Sequence, residues 1–237
     1  MSINKNYLQL EFGSGKFFDY STEEKQGYDE HVSTKGNTSY RKYYDSVEGV
    51  LEAVSIYDGR FGQQISMNVK NGDEVYYLPL NLYDQRGNVD SSYAESLIKF
   101  LPQLNKGDNV EVRGYNFKPE GEKYSKIGIS IKVDGEKIKP TMKNAYFKRD
   151  GSFVEGDIPA IKWKEDALGK KKPSAASLEE KDEFLIGVLK RETDRLKWDG
   201  SANTSSAEQP RQEAPQPKTK TAEQAFVPAE EEDDLPF

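Results

Sequence analysis

The segment Phe61–Tyr83, FGQQISMNVKNGDEVYYLPLNLY, decides the fold because it holds two strand patterns joined by a turn. From Phe61 to Lys70, apolar side chains alternate with polar ones, as expected of a strand with one buried face. Asn71-Gly72 is a strong signal for a tight hairpin turn. The next strand, Glu74–Tyr83, places three leucines on one face, namely Leu78, Leu80 and Leu82. The segment therefore predicts an antiparallel β-hairpin.

Further elements flank this hairpin on both sides. Val47–Tyr57 has the pattern of a long strand, and Gly49 within it indicates a bulge or bend. Ser91–Leu104 has apolar residues near helical spacing, and alternation then predicts two more strands, Val110–Phe117 and Ile127–Val133. Three strands, a helix and two strands are the order of the OB-fold, a mainly β, five-stranded Greek-key barrel. A parallel α/β sheet fits poorly, because helices do not alternate with the strands.

The rest of the chain divides by composition. Residues 1–45 predict an extra strand near Leu8 and a polar, Tyr-rich arm, and residues 136–168 predict only irregular structure. Ser177–Trp198 predicts a helix, in which Ser177 and Glu180 form a capping-box pattern and an apolar stripe must be covered by the barrel or by a second copy. We expect an OB-fold domain with an N-terminal extension at 1–168, a linker and C-terminal helix at 169–198, a disordered linker at 199–229, and an acidic tip at 230–237.

Charge is unevenly distributed along the chain. The formal net charge is −7, but residues 199–237 hold nine acids against three bases. Between residues 100 and 172, sixteen Lys and Arg outnumber eleven Asp and Glu. An acidic tail therefore masks a moderately basic body, which suits a polyanionic ligand.

Several classes of function are disfavoured by composition. The sequence has no Cys and one His, His31, so it offers no thiolate or multi-His metal site, and its carboxylates lack a partnering base. We expect no enzyme activity, no metal and no cofactor. Gly13-Ser14-Gly15-Lys16 is similar to the end of a phosphate loop, but the motif needs Gly at Leu10 and Ser or Thr at Phe17, so it predicts a turn. No signal peptide or membrane span is visible, which predicts a soluble, cytoplasmic protein.

Aromatic and polar side chains occupy the outward positions of the predicted barrel. OB-folds bind single strands across their second and third strands and the adjoining loops, with cations on phosphates and rings stacked on bases. The candidate nucleic-acid-binding residues are Tyr57, Arg60, Gln64, Asn68, Lys70, Tyr77, Tyr83, Arg113, Tyr115, Phe117, Lys118, Lys123, Tyr124 and Lys126. Phe61 is a weaker candidate, because it is in phase with the core residues Ile65 and Met67.

The last eight residues predict a peptide that other proteins bind. Five acids cannot pack in a core, whereas the apolar residues after them can fill a small pocket and the terminal carboxylate can meet a cation. The tip consists of Glu230, Glu231, Glu232, Asp233, Asp234, Leu235, Pro236 and Phe237. It resembles the tip of bacterial single-stranded DNA-binding proteins, with Leu235 where Ile is common. The N-terminal arm and the helix near 177–198 depart from the bacterial form and look more like a bacteriophage version.

This resemblance implies a protein that coats single-stranded DNA in replication, recombination and repair. Through the tip it would recruit partners such as a polymerase, helicase, primase or nuclease. An annealing protein that pairs complementary strands would share the same groove, and an annealing assay separates the two. A nuclease or other enzyme of nucleic acid metabolism would need a carboxylate cluster or a His set, which the sequence lacks. The sequence leaves open homo-oligomerisation, the binding-site size and the preference between DNA and RNA.

Overall fold

The computed structural model describes residues 4–59, 62–148, 150–165 and 169–197, which are mainly β-structure. In chain order the strands are β1 (Asn4–Tyr7), β2 (Gln9–Leu10), β3 (Phe17–Ser21), β4 (Asp29–Val32), β5 (Thr38–Tyr44), β6 (Val47–Gly59), β7 (Gly62–Asn71), β8 (Glu74–Asn81), β9 (Asn109–Phe117), β10 (Lys126–Val133), β11 (Glu136–Lys137), β12 (Tyr146–Phe147), β13 (Phe153–Val154), β14 (Trp163–Glu165) and β15 (Lys171–Pro173). The α-helices are α1 (Tyr93–Ile98) and α2 (Ala175–Arg195).

The largest sheet has seven strands in the order β1-β8-β7-β6-β9-β10-β11. It is mixed, because β1 runs parallel to β8 while the other neighbours are antiparallel. Strands β7 and β8 form the predicted hairpin. Asn71 pairs with Glu74, so the two-residue turn is Gly72-Asp73, one position after the predicted turn. Ile65, Met67, Leu78 and Leu80 face the core as their alternation predicts.

Strand β6 belongs to both halves of this sheet. Its first residues, Val47–Val50, pair with β9, and Val50–Gly59 pair with β7. Gly49 lies at this change of partner with φ +150°, and an added Cβ would lie 2.2 Å from the carbonyl oxygen of Lys70. The bulge itself falls later, between Leu51 and Ala53. The predicted bulge or bend at Gly49 is therefore two features: a close backbone approach at Gly49 and a bulge a few residues later.

A closed five-stranded barrel is not seen in the described part of the chain. The outer edge of β8 is occupied by β1, which the sequence did not place there. At the other end, β11 covers part of β10, and the hydroxyl of Ser96 in α1 both donates to the carbonyl of Ile129 and accepts from its N–H. Both edges are therefore satisfied without pairing to each other.

Helix α1 is shorter than the predicted span 91–104. The carboxylate of Asp90 accepts hydrogen bonds from the N–H groups of Ser92 and Tyr93, which fixes the start of the helix. After Ile98 the chain tightens into a 3-10 turn, Leu101–Gln103, with proline in its first positions. Proline is compatible with a helical start but not with an uninterrupted helix, so one predicted helix becomes two short ones.

Helix α2 packs into the same core as the sheet. Leu185 and Leu189 are fully buried there, so the apolar stripe is covered by the chain's own sheet. The predicted capping box does not form, because the helix begins one turn earlier, after Ser174. Ser177 is instead buried in the first turn, where its hydroxyl accepts from the N–H of Lys162 and donates to the carbonyl of Ser174. No described helix is both long and apolar enough to cross a membrane.

The flanking regions contain more structure than their sequence predicts. The Tyr-rich arm folds into a four-stranded sheet in the order β2-β3-β5-β4. Within 136–168, β12 pairs with β13, and β14 pairs with β15 just beyond this range. Strand β15 lies in the predicted linker after 169, so that part of the linker is a short strand. The predicted linker at 199–229 and the tip at 230–237 lie outside the described residues.

Replacing Gly187 by Ala is expected to stabilise the protein by about 0.5–1 kcal/mol, because glycine in a helix interior costs about that much relative to alanine. Gly187 is exposed within α2, and an added Cβ would meet no atom within 4 Å. Urea unfolding measures the gain. Gly49→Ala is the control and should lose stability, and a Gly187 variant no more stable than the parent would contradict the described helix.

Candidate nucleic-acid interface

Strand β9 presents the predicted row of outward side chains. Val110 and Val112 are buried, whereas Arg113 and Phe117, which follow them, are exposed and Tyr115 is half-buried. Alternation along a strand places these three on one face. Their cross-strand partners on β10 are Ser130, Gly128 and Lys126. The sequence pattern of β9 is therefore confirmed as an outward row.

The two aromatic rings of this row lie side by side. The ring centroids of Tyr115 and Phe117 are 5.9 Å apart at an interplanar angle of 51°, and Phe117 is 53% exposed. Gly128 leaves space for the Tyr115 ring, because a Cβ at that position would lie 2.7 Å from the tyrosine hydroxyl. The strand pair thus offers apolar ring surface to a planar ligand.

This row forms the floor of a groove of about 1010 Å³. The turn at Ser14–Lys16 lines it from one side, together with Ser96 of α1 and Phe100 just after that helix. Residues 137–140 line it from another side. The groove contains five cations and one carboxylate, which are Lys16, Arg113, Lys126, Lys137, Lys139 and Asp45. The aromatic side chains of β9 are therefore surrounded mainly by positively charged residues.

Two of the cations are already paired. Lys16 lies 2.8 Å from Asp45, and Lys126 lies 2.8 Å from Glu122. Within the described residues, the other three cations make no ion pair. The hydrogen bond from Lys16, with its charge and that of Arg113, holds the pKa of Asp45 below its usual value. Asp45 is then ionised at neutral pH, and with Lys16 and Lys126 paired to acids, three cations of the groove keep an uncompensated charge among the described residues.

Lys16 reaches the groove because a glycine turn packs directly on β9. Gly15, at φ +75°, lies so close that an added Cβ would be 2.7 Å from the backbone nitrogen of Tyr115. Glu11 and Lys16 close this turn by a backbone hydrogen bond of 2.9 Å. The fragment that resembles a phosphate loop is thus a hairpin turn, as predicted. Sequence reasoning missed Lys16, Lys137 and Lys139 as groove residues, because only the long-range packing brings them there.

A second outward face runs across β6, β7 and β8. It carries five of the predicted residues, which are Tyr57, Gln64, Asn68, Lys70 and Tyr77. The hydroxyl of Tyr57 donates to Gln64 over 2.6 Å, and the Gln64 amide donates to Asn81 over 2.8 Å. Tyr77 stacks on Tyr7 of β1, with centroids 4.6 Å apart. This face is therefore more fully engaged in intramolecular contacts than the β9 row.

The remaining predicted residues are placed differently. Tyr83 follows β8 and lines a separate groove against α2, beside Leu178 and Asp182. The loop between β9 and β10 exposes Lys118, Lys123 and Tyr124, with the Lys123 ammonium 5.5 Å from the Tyr124 ring centroid. Arg60 and Phe61 lie outside the described residues. The structure therefore brings Arg113, Tyr115, Phe117 and Lys126 together in one groove and leaves Tyr83 apart from it.

The described residues hold no group of three or more His, Asp or Glu side chains arranged to bind a metal ion. Comparison of the chain with protein-family models, curated proteins and solved structures finds no match. The chemistry of the groove and the sequence of the tip therefore carry the functional argument.

Proposed function

We propose that this protein binds single-stranded DNA without strong sequence preference and protects it during replication, recombination and repair. The observation that carries the proposal is the row Arg113, Tyr115 and Phe117 on the floor of a groove with five cations and one carboxylate. Cations neutralise phosphates and release counterions, and aromatic rings stack on unpaired bases. Every base has a π-face, so this chemistry favours single strands over any particular sequence.

The strand order supports an OB-fold as the body of the protein. Strands β6 to β8, then α1, then β9 and β10 follow the order expected of that fold, and β6 pairs with both β7 and β9. OB barrels are partly open, and here β1 and α1 cover the edges that closure would join. The N-terminal sheet and α2 are then additions to the barrel, in keeping with a bacteriophage form acting in the host cytoplasm.

Replacing Arg113 by Gln tests the electrostatic half of the proposal. Arg113 is exposed and, in the described part of the chain, makes no ion pair, so it can meet a phosphate. The slope of the logarithm of the association constant for oligo(dT) against the logarithm of salt concentration should become shallower, by the amount that one phosphate contact contributes. Titrations of a fluorescent oligo(dT) at several salt concentrations measure that slope. The matched control is Arg86→Gln, which changes an exposed arginine in the loop after β8 that lines neither groove. An unchanged slope for Arg113→Gln would remove this residue from the interface.

Residues 230–237 provide the proposed docking site for replication and repair proteins. Replacing Phe237 by Ala removes the apolar anchor and keeps every acid, so partner capture should fall while affinity for single strands barely changes. Deleting 230–237 should instead raise strand affinity several-fold at low salt, because the acids compete with phosphates for the basic groove. Pull-downs of host replication proteins and oligo(dT) titrations separate the two roles. Capture by Phe237→Ala equal to the parent would show that the tip is only a solvated tail.

A further inference from the structure

The hairpin formed by β12 and β13 exposes an aromatic cluster outside the groove. Tyr146, Phe147 and Phe153 are 51%, 46% and 53% exposed. Phe147 and Phe153 pair directly across the two strands, with ring centroids 5.1 Å apart. Phe147 and Phe153 thus form a pair of exposed rings on one face, whereas Tyr146, the neighbour of Phe147 on β12, lies on the other face. Exposed apolar surface of this kind marks binding sites.

Hydrogen bonds and a buried side chain fix the base of this aromatic hairpin. The N–H of Ala145 donates to the carbonyl of Ile158, and the N–H of Ile158 donates to that of Lys143. Ile158 is fully buried, and the Asn144 amide donates to the carboxylate of Glu95 in α1 over 3.1 Å. A two-stranded hairpin alone is marginal in water, so these contacts are what present the rings in a fixed position.

The charged residues of the segment that leads to the hairpin are all bases. Residues 137–148 contain four lysines and no acid, and the lysines are Lys137, Lys139, Lys143 and Lys148. The first two line the groove, and the chain continues from them past α1 to β12. None of the four makes an ion pair within the described residues. These lysines therefore extend the positive charge of the groove along this segment toward β12, while the returning half of the hairpin carries the acids Glu155 and Asp157.

We propose that the aromatic hairpin is a second stacking site, which extends the groove for single strands too long to fit within it. The strand would follow the lysines of 137–148 and place unpaired bases on Phe147 and Phe153. Lysines followed by exposed rings match a single strand better than a protein partner, because a single strand offers phosphates to the cations and unpaired bases to the rings. This inference rests on the proposed function and adds a length dependence that the groove alone does not give.

The test uses the full chain and fluorescent oligo(dT) of two lengths, about 6 and about 16 nucleotides, which fall within the range of site sizes for OB-folds. Phe153→Ala should bind the short strand like the parent and the long strand at least about fivefold more weakly, the lower end for one stacked base. Phe153→Tyr should restore long-strand affinity. Tyr20→Ala removes an exposed ring of β3 that lines neither the groove nor the hairpin, and it should leave both affinities unchanged.

Several results would overturn the inference. Equal affinities of Phe153→Ala and the parent at both lengths, or an equal loss at both, would show that the hairpin does not extend the groove. A lower mass of Phe153→Ala than of the parent in DNA-free sedimentation would identify the hairpin as a contact between copies. A parent that binds neither strand would instead contradict the proposed function itself.

Discussion

Replacing Phe117 by Ala is expected to weaken binding of oligo(dT) by about 1–3 kcal/mol, the range for loss of one aromatic stacking platform. The ring is about half exposed on β9 and contacts Tyr115 at 5.9 Å between centroids. Because so much of it already faces water, its removal should cost the folded state little. The affinity loss should therefore appear without a matching loss of stability.

Fluorescence anisotropy with a single-stranded probe measures this change, and circular dichroism checks the fold. Phe117→Tyr keeps a ring and should bind like the parent, whereas Tyr20→Ala removes an exposed ring elsewhere and should have no effect. Tyr115→Ala belongs to the same series, although Tyr115 is less exposed. A folded Phe117→Ala variant with parental affinity would show that the β9 row is not the interface.

Replacing Glu95 by Gln is expected to destabilise the protein by about 3–5 kcal/mol, because removing one partner leaves buried charge uncompensated. Glu95 in α1 is 3% exposed, and its carboxylate lies 2.6 Å from Lys181 of α2 and 2.5 Å from Lys99. It also accepts the amide hydrogen bond from Asn144. This carboxylate therefore joins both helices and the base of the aromatic hairpin.

Urea unfolding at neutral pH measures the loss, and Glu122→Gln is the matched control. Glu122 pairs with Lys126 at 2.8 Å, but both side chains are about half exposed, so its removal should cost no more than about 1 kcal/mol. If Glu95→Gln lost no more stability than the control, the buried cluster would not be what holds α2 on the body.

The same cluster predicts how stability depends on pH. Burial alone would raise the pKa of Glu95, but the charges of Lys181 and Lys99 outweigh it and hold the pKa below the usual value of 4.5. A lowered carboxyl pKa stabilises the fold above that usual value and loses the effect as pH falls through the folded pKa. The parent should thus lose stability below about pH 4.5, and Glu95→Gln should show a shallower acid dependence.

Local patterns in the sequence predicted the features that depend on neighbouring residues. Alternation of period two identified the outward row of β9 and the β7–β8 hairpin, because side chains of a strand alternate between faces whatever lies beyond it. The predicted start of α2 was wrong, because a contact between residues distant in sequence decides it. Both Ser174 and Ser177 can begin a helix, and the contact of Ser177 with Lys162, which is distant in sequence, fixed the earlier start.

Features set by long-range packing could not be predicted in this way. Nothing near Tyr7 indicates that β1 would run parallel to β8 and cover Tyr77. Lys16 belongs to the groove only because the glycine turn before it packs on β9. The strands of the β12–β13 and β14–β15 hairpins are two or three residues long, too short to show a periodic pattern. The sequence therefore predicted the β9 row on the floor of the groove but not the segments that form its sides.

Selective binding of single strands by the basic, aromatic groove is the main property expected of this protein. Its most direct test is a fluorescence titration of the full chain with oligo(dT) and, separately, with a duplex of equal length. We expect tighter binding of the single strand, quenching of the aromatic fluorescence, and affinity that falls as salt rises. Equal affinity for the single strand and the duplex would contradict this expectation.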